Sequence, residues 1–236
     1  MSDKRPVGFF DSGIGGTCIL AAFRALCPKE RTIYHADSEH CPYGNRPADE
    51  IIRLSEANTQ ELLRQGCKMV VVACNTATAA AIDWLRAHHP DVPFIGLEPA
   101  VKPAALKSKT GVVAVLATAG TFNGRLYNET KAKFAKDVTV IAAVADEFVV
   151  EVERLKGFPV TELAGAELAR LERIVRVKIE PLVAAKADHI VLGCTHFPHL
   201  KPLIERIAGP SVVILDPSEA VARQARRVLA ARGLLA

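Results

Sequence analysis

The 236-residue chain reads as an α/β protein with mostly parallel sheets, arranged in two similar halves. Three observations predict this. Short Val/Ile/Leu runs alternate with longer stretches of helical period, the pattern of repeated βα units. The runs are almost continuously apolar, as expected of strands covered on both faces. Two segments also rhyme: MVVVACNTATAA at 69–80 and HIVLGCTHFPHL at 189–200. Each is a buried strand, then a cysteine, a polar residue and a helix start, and an internal duplication would give that repetition.

Element by element, 7–10 (VGFF) is a strand followed by a helix from Thr17 to about Leu26, and 32–37 is a second strand. Residues 48–66 form a helix, with apolar Ile51, Ile52, Leu54, Leu62 and Leu63 and a stop at Gly66. A buried strand at 69–73 leads into an Ala-rich helix, and 93–98 is the next strand. The segment from Val101 to Lys107 is helical and 111–117 is a strand. Helices at 123–136 and 161–185 flank a strand at 138–144. A strand at 189–193, a short helix from about His199, a strand at 212–216 and a closing helix with Gly233 past its end complete the chain.

Composition narrows the function classes. Hydrophobic residues make up 50% and charged residues 24%, with a mean hydropathy of +0.17, so neither disorder nor a membrane protein is expected. No apolar run reaches the ~18 residues that cross a bilayer. The N-terminus lacks a signal-peptide pattern, which predicts a cytoplasmic protein. The net charge of +4 is scattered, and aromatics are 6% with one Trp, so no nucleic-acid footprint is expected. Six cysteines without a CxxC pair predict free thiols rather than a disulfide framework and disfavour a thiol redox protein.

Ligands of open α/β sheets collect at the carboxyl ends of strands. Those ends carry Asp11, Ser12 and the glycines of DSGIGG; Asp37 with Tyr43 and Gly44 just beyond; Cys74, Asn75 and Thr76; Thr118 and Thr121; and Cys194, Thr195 and His196. Cys74 and Cys194 sit where a strand ends and a helix is expected to begin. That position lowers a thiol pKa from its usual ~8.5 and favours a thiolate. Cys18, Cys27, Cys67 and Cys41 are read as structural. DSGIGG is neither G-x-G-x-x-G nor a P-loop, but its glycines let backbone N–H groups approach a small anion. Cys194, His196 and His199 have no second Cys/His pair nearby, so no metal centre is expected, and His196 serves better as a proton partner. The other six histidines are assigned to the surface or to helix ends. Glu151 and Glu153 lie on a charged stretch from which one carboxylate can reach a site.

Taken together, DSGIGG (11–16), PYG (42–44), ACNTA (73–77), Glu98-Pro99, Ala117-Thr118 with Thr121, GCTHFP (193–198) and Asp216-Pro217 resemble the glutamate racemases, cofactor-independent members of the aspartate/glutamate racemase family. The stretches occur in order over nearly the whole chain. The resemblance implies two α/β domains with the active site in the cleft between them, divided here as 1–98 plus 210–236 (the Cys74 half) and 99–209 (the Cys194 half). It implies Cys74 and Cys194 as the acid/base thiols. Asp11 would assist Cys74, His196 would assist Cys194, and Glu153 is the third assisting group. Ser12, Tyr43, Gly44, Asn75, Thr76, Thr118, Thr121 and Thr195, with Asp11 and His196, are implied as substrate-holding positions. It further implies a small-acid substrate, no cofactor, a homodimer, and D-glutamate supplied for peptidoglycan. Thr17-Cys18 and the VADEF stretch depart from the family pattern, and Glu151 is an extra acid beside Glu153. A related two-thiol racemase of aspartate or another acid, and a non-catalytic small-acid binding protein, remain the alternatives.

Racemisation takes the α-proton from one face and returns one to the other. Two acid/base groups on opposite faces do this, one as thiolate and one as thiol. The weak acidity of the α-C–H also demands a dry cleft with donors for the developing negative charge.

Overall fold

A computed structural model describes residues 3–135 and 137–236. Two four-stranded sheets carry the chain, and every ladder is parallel. In the first, β1 (Val7–Asp11), β2 (Thr32–Ala36), β3 (Met69–Val72) and β4 (Phe94–Ile95) stand in the order β2-β1-β3-β4. In the second, β5 (Val112–Ala117), β6 (Thr139–Val144), β7 (His189–Leu192) and β8 (Val213–Leu215) stand in the order β6-β5-β7-β8. The orders match strand for strand, and β3 and β7, the two strands of the rhyme, occupy the same slot. The molecule is an α/β protein of two similar domains.

The period of two along each strand divides its side chains between two helical layers. Val7 and Phe9 of β1 and Met69 and Val71 of β3 pack against α1 (Thr17–Leu26) and α10 (Ser218–Ala231), through Ile19, Phe23, Val221 and Leu229. On the opposite face Phe10, Val70 and Val72 meet α2 (Ala48–Arg64) and α3 (Asn75–His88). In the second sheet Ala114, Leu116, Ile190 and Leu192 face α7 (Asp146–Arg154), α8 (Gly165–Ala184) and α9 (Lys201–Ala208). Val113, Val115 and Val191 face α4 (Val101–Lys107) and α6 (Arg125–Phe134). Carried past the strand ends, the same alternation puts Cys74 in the α2/α3 layer and Cys194 in the α7/α8/α9 layer.

Several elements differ from the sequence reading. The strand expected over 93–98 ends at Ile95, because the Leu97 N–H donates to Thr78 Oγ1 at 3.0 Å instead of to a strand. The helix expected over 161–185 is a 3-10 turn at Val160–Glu162 followed by α8. The break falls at Gly165, whose φ of 60° lies in the left-handed region. The helix expected over 123–136 is preceded by the single turn α5 (Ala119–Phe122), and its last residue, Lys136, lies outside the described residues. The helix expected from about His199 is a 3-10 turn (Phe197–Leu200) running into α9. His189, assigned above to the surface or a helix end, is a buried residue of β7, its ring nitrogen 2.8 Å from Asp188.

The strand at 213–215, counted above with the first half, pairs with β7 in the second sheet. Only α10, packed on α1, joins the first half. The chain therefore passes from the first sheet to the second after Ile95, and from the second sheet back to the helical layer of the first after Leu215. Among the described residues no helix is long and apolar enough to cross a membrane.

Candidate active site

The site forms where the carboxyl ends of both sheets meet. Asp11 closes β1 and is fully buried. Its carboxylate accepts the Ser12 N–H at 2.8 Å and the Gly16 N–H at 2.7 Å, which shape the glycine loop around it. Across the domain boundary it accepts the Thr195 hydroxyl at 3.2 Å. Burial pushes the Asp11 carboxyl up, against the pull of the His196 charge and the Gly16 N–H.

Cys74 is the N-cap of α3 and its sulfur accepts the Ala77 N–H at 3.4 Å. The thiol lies 3.9 Å from Ser12 Oγ and is within reach of the Asp11 carboxyl. The helix start was expected to lower its pKa. Instead burial, reinforced by the Asp11 charge and by Cys194, holds it well above the usual thiol range, and one backbone N–H does not offset them. The substrate-free protein thus keeps a proton on Cys74. Asp11 links the two buried thiols: it accepts the N–H of Ser12, whose hydroxyl lies 3.9 Å from the Cys74 sulfur, and the hydroxyl of Thr195, the residue next to Cys194.

Cys194 follows β7 and is buried, with its sulfur 3.7 Å from His196 Nδ1. No α-helix begins directly behind it; the 3-10 turn Phe197–Leu200 stands there instead. The far ring nitrogen of His196 meets Glu153 Oε1 at 2.6 Å, and the same oxygen accepts the Ile14 N–H at 2.8 Å. Burial alone would lower the His196 pKa. Hydrogen bonds with Cys194, Cys41 and Glu153 outweigh it and hold the imidazole well above its usual range. Burial would likewise raise Glu153, but its bonds to His196 and Ile14 hold it low. In the relay Cys194–His196–Glu153 the imidazole, held toward its protonated form, stands between the Cys194 sulfur and the Glu153 carboxylate.

Glu153, not Glu151, reaches the site. Glu151 is buried away from the site and clamped by Arg170, at 2.6 Å to each oxygen, and by Arg154 at 3.0 Å. The remaining expected residues divide into two groups. Thr76, Thr118 and Thr121 form a hydroxyl chain, with Oγ1 separations of 2.9 and 3.0 Å. Asn75 is buried with neither amide atom hydrogen-bonded, a donor and an acceptor left for a ligand. Tyr43, by contrast, is a core residue. Its hydroxyl donates to Asp37 at 2.5 Å and accepts from Asn58 at 3.1 Å, so its side chain has no hydrogen to spare for a ligand. The next residue, Gly44, packs closely against Thr118, where an added Cβ would lie 3.2 Å from the threonine Cβ. A cavity of about 420 Å³ borders this end of the site, lined by Gly44, Thr76 and Gly120.

Cys41, read above as structural, borders the site. Its sulfur, a Glu153 oxygen and a His196 ring nitrogen lie within 4.8 Å of one another. Only the proximity of Cys41 to the PYG stretch hinted at this, since its partners lie more than a hundred residues away.

Residues 17–225 match the family model described as Asp/Glu/Hydantoin racemase. The chain belongs to that family. Among racemases of this family, the glutamate racemase of Herpetosiphon aurantiacus is 46% identical over 235 residues, covering 100% of this chain and 88% of that protein. The Escherichia coli glutamate racemase, solved in complex with L-glutamate and the activator UDP-MurNAc-ala, superposes with a TM-score of 0.84 at 33% identity, covering 96% of this chain and 83% of that one. The Francisella tularensis glutamate racemase in complex with D-glutamate gives 0.80 at 29% identity, covering 99% and 83%.

Proposed function

We propose that this racemase-family protein interconverts L- and D-glutamate without a cofactor, carrying the α-proton between Cys74 and Cys194. The support for the reading is two buried thiols, one following β3 and one following β7, each near a proton partner: Cys74 3.9 Å from Ser12 Oγ, whose N–H bonds Asp11, and Cys194 3.7 Å from His196, with Thr195 bonding the same Asp11. One thiolate takes the α-proton from its face while the opposite thiol delivers its own proton to the other. In this reading Cys74 acts on D-glutamate and Cys194 on L-glutamate. Asp11 and the His196–Glu153 pair take up and return protons to the thiols between turnovers. The free Asn75 amide, Ser12, Thr195 and the Thr76/Thr118/Thr121 hydroxyls hold the ammonium and carboxylate groups and the charge that develops at Cα.

The reading carries with it a cytoplasmic homodimer that supplies D-glutamate for peptidoglycan. It also takes each sheet with its helices as one domain, with the boundary drawn after Leu215 instead of at 210.

Purified protein given L-glutamate and no added cofactor should form D-glutamate until the two are equal, and Cys74→Ala and Cys194→Ala should each abolish this. Turnover of aspartate but not glutamate would transfer the reading to that substrate. No turnover of either, in protein of native thermal stability, would leave a binding protein.

A further inference from the structure

We propose that Cys41, Glu153 and His196 form a capture site for a borderline-soft divalent cation, Zn2+ above all, and that its occupancy switches the enzyme off. Three elements that are remote in sequence converge here: the loop after β2, α7 and the turn after β7. They bring a thiol, a carboxylate and an imidazole to one point, with their donor atoms within 4.8 Å of one another. Tetrahedral zinc, at ~2.0–2.3 Å from each ligand, holds its donors roughly 3.5 Å apart. Small side-chain shifts therefore close the site around an ion. A Cys/His/carboxylate set favours zinc over hard cations such as magnesium. Cys41 and Glu153 are only partly buried, which leaves a path for entry and a fourth position for water.

The protons balance simply. Zinc displaces one proton from the Cys41 thiol and the one shared between His196 Nε2 and Glu153 Oε1, and both leave to solvent. Metal binding itself follows from this geometry alone. The inhibition rests on the function proposed above. With Nε2 on the metal, the ring carries its remaining hydrogen on Nδ1, facing Cys194 at 3.7 Å. It can no longer pass a proton onward to Glu153. Blocking one face stops racemisation in both directions.

The test compares the wild-type protein with Cys41→Ser, which keeps a hydrogen-bond donor but removes the soft ligand. Co2+ is the spectroscopic probe and Zn2+ the inhibitor, with Mg2+ as control. Wild-type protein should bind one Co2+ per chain with a thiolate charge-transfer band. It should lose activity to Zn2+, recover it with a chelator and ignore Mg2+. Cys41→Ser should racemise glutamate, lack the band and need at least tenfold more Zn2+ for the same inhibition. Equal zinc sensitivity in Cys41→Ser would assign the metal to Cys74 or Cys194 and overturn the proposal. Normal metal-free turnover with no Co2+ binding would also overturn it. Absence of metal-free turnover would instead overturn the function, while the Co2+ band would still decide the site.

Discussion

Gly15→Ala tests the Cys194 side of the site without removing any functional group. An added Cβ would stand 2.5 Å from His196 Nδ1 and 2.8 Å from its Cε1 and Cγ. Ordinary contacts begin near 3.5 Å, so the ring must move by about 1 Å. It cannot retreat freely, because its far nitrogen is held 2.6 Å from Glu153, whose oxygen is fixed by the Ile14 N–H. A 1 Å misplacement of a catalytic group lowers rates by about 10²-fold, a barrier increase of about 2.7 kcal/mol. The two enantiomers are equal in energy, so kcat/KM must fall by the same factor in both directions. Polarimetry starting from each enantiomer measures this, with a thermal melt to establish that the fold is retained. Wild-type kcat/KM in a folded Gly15→Ala protein would refute the role given to His196.

The two neighbouring glutamates separate function from stability. Glu153→Gln should depress turnover by at least tenfold, whereas Glu151→Gln should leave turnover intact and lower stability by about 1–2 kcal/mol, a figure discounted for the exposed arginines. The Arg170 bonds hold the Glu151 carboxyl below its usual range, so that stabilisation is present at neutral pH and lost as pH falls through the folded-state value. The gap in melting temperature between wild type and Glu151→Gln should thus close in acid; a gap that widens there would contradict the assignment. Asn75→Ala should raise KM by about ten- to hundredfold, the worth of a hydrogen bond to a charged ligand, with little change in melting temperature because its amide has no partner in the free protein. An unchanged KM would remove Asn75 from the substrate site. One thiol must be ionised and the other not, so kcat/KM should be bell-shaped in pH; a flat profile from roughly pH 6 to 10 would argue against paired thiols.

Periodicity and composition reached the sheets because buried parallel strands leave a continuous apolar signal. Motif order placed Asp11, Cys74, Cys194 and His196 at strand ends, and the structure gathers them there in the buried interior, because strand-end residues occupy fixed positions in such sheets. Cooperative and long-range effects were out of reach. β4 stops short because of one hydroxyl, that of Thr78. The Cys74 pKa is set by burial and a buried carboxylate rather than by the helix start visible in the sequence. Glu151 and Glu153 are two residues apart, yet the turn of α7 sends one to Arg170 and the other to His196. The contacts of Cys41 with Glu153 and His196, and of Tyr43 with Asp37 and Asn58, were hidden for the same reason: side-chain direction in a loop has no period to read.

The most direct measurement follows L-glutamate in D2O through its first turnovers, recording the isotope at Cα in substrate and product separately. Two thiols on opposite faces should give D-glutamate carrying one solvent deuterium while the remaining L-glutamate stays protiated. Deuterium entering the unreacted L-glutamate as fast as D-glutamate forms would mean that one base serves both faces, and would contradict the pairing of Cys74 with Cys194.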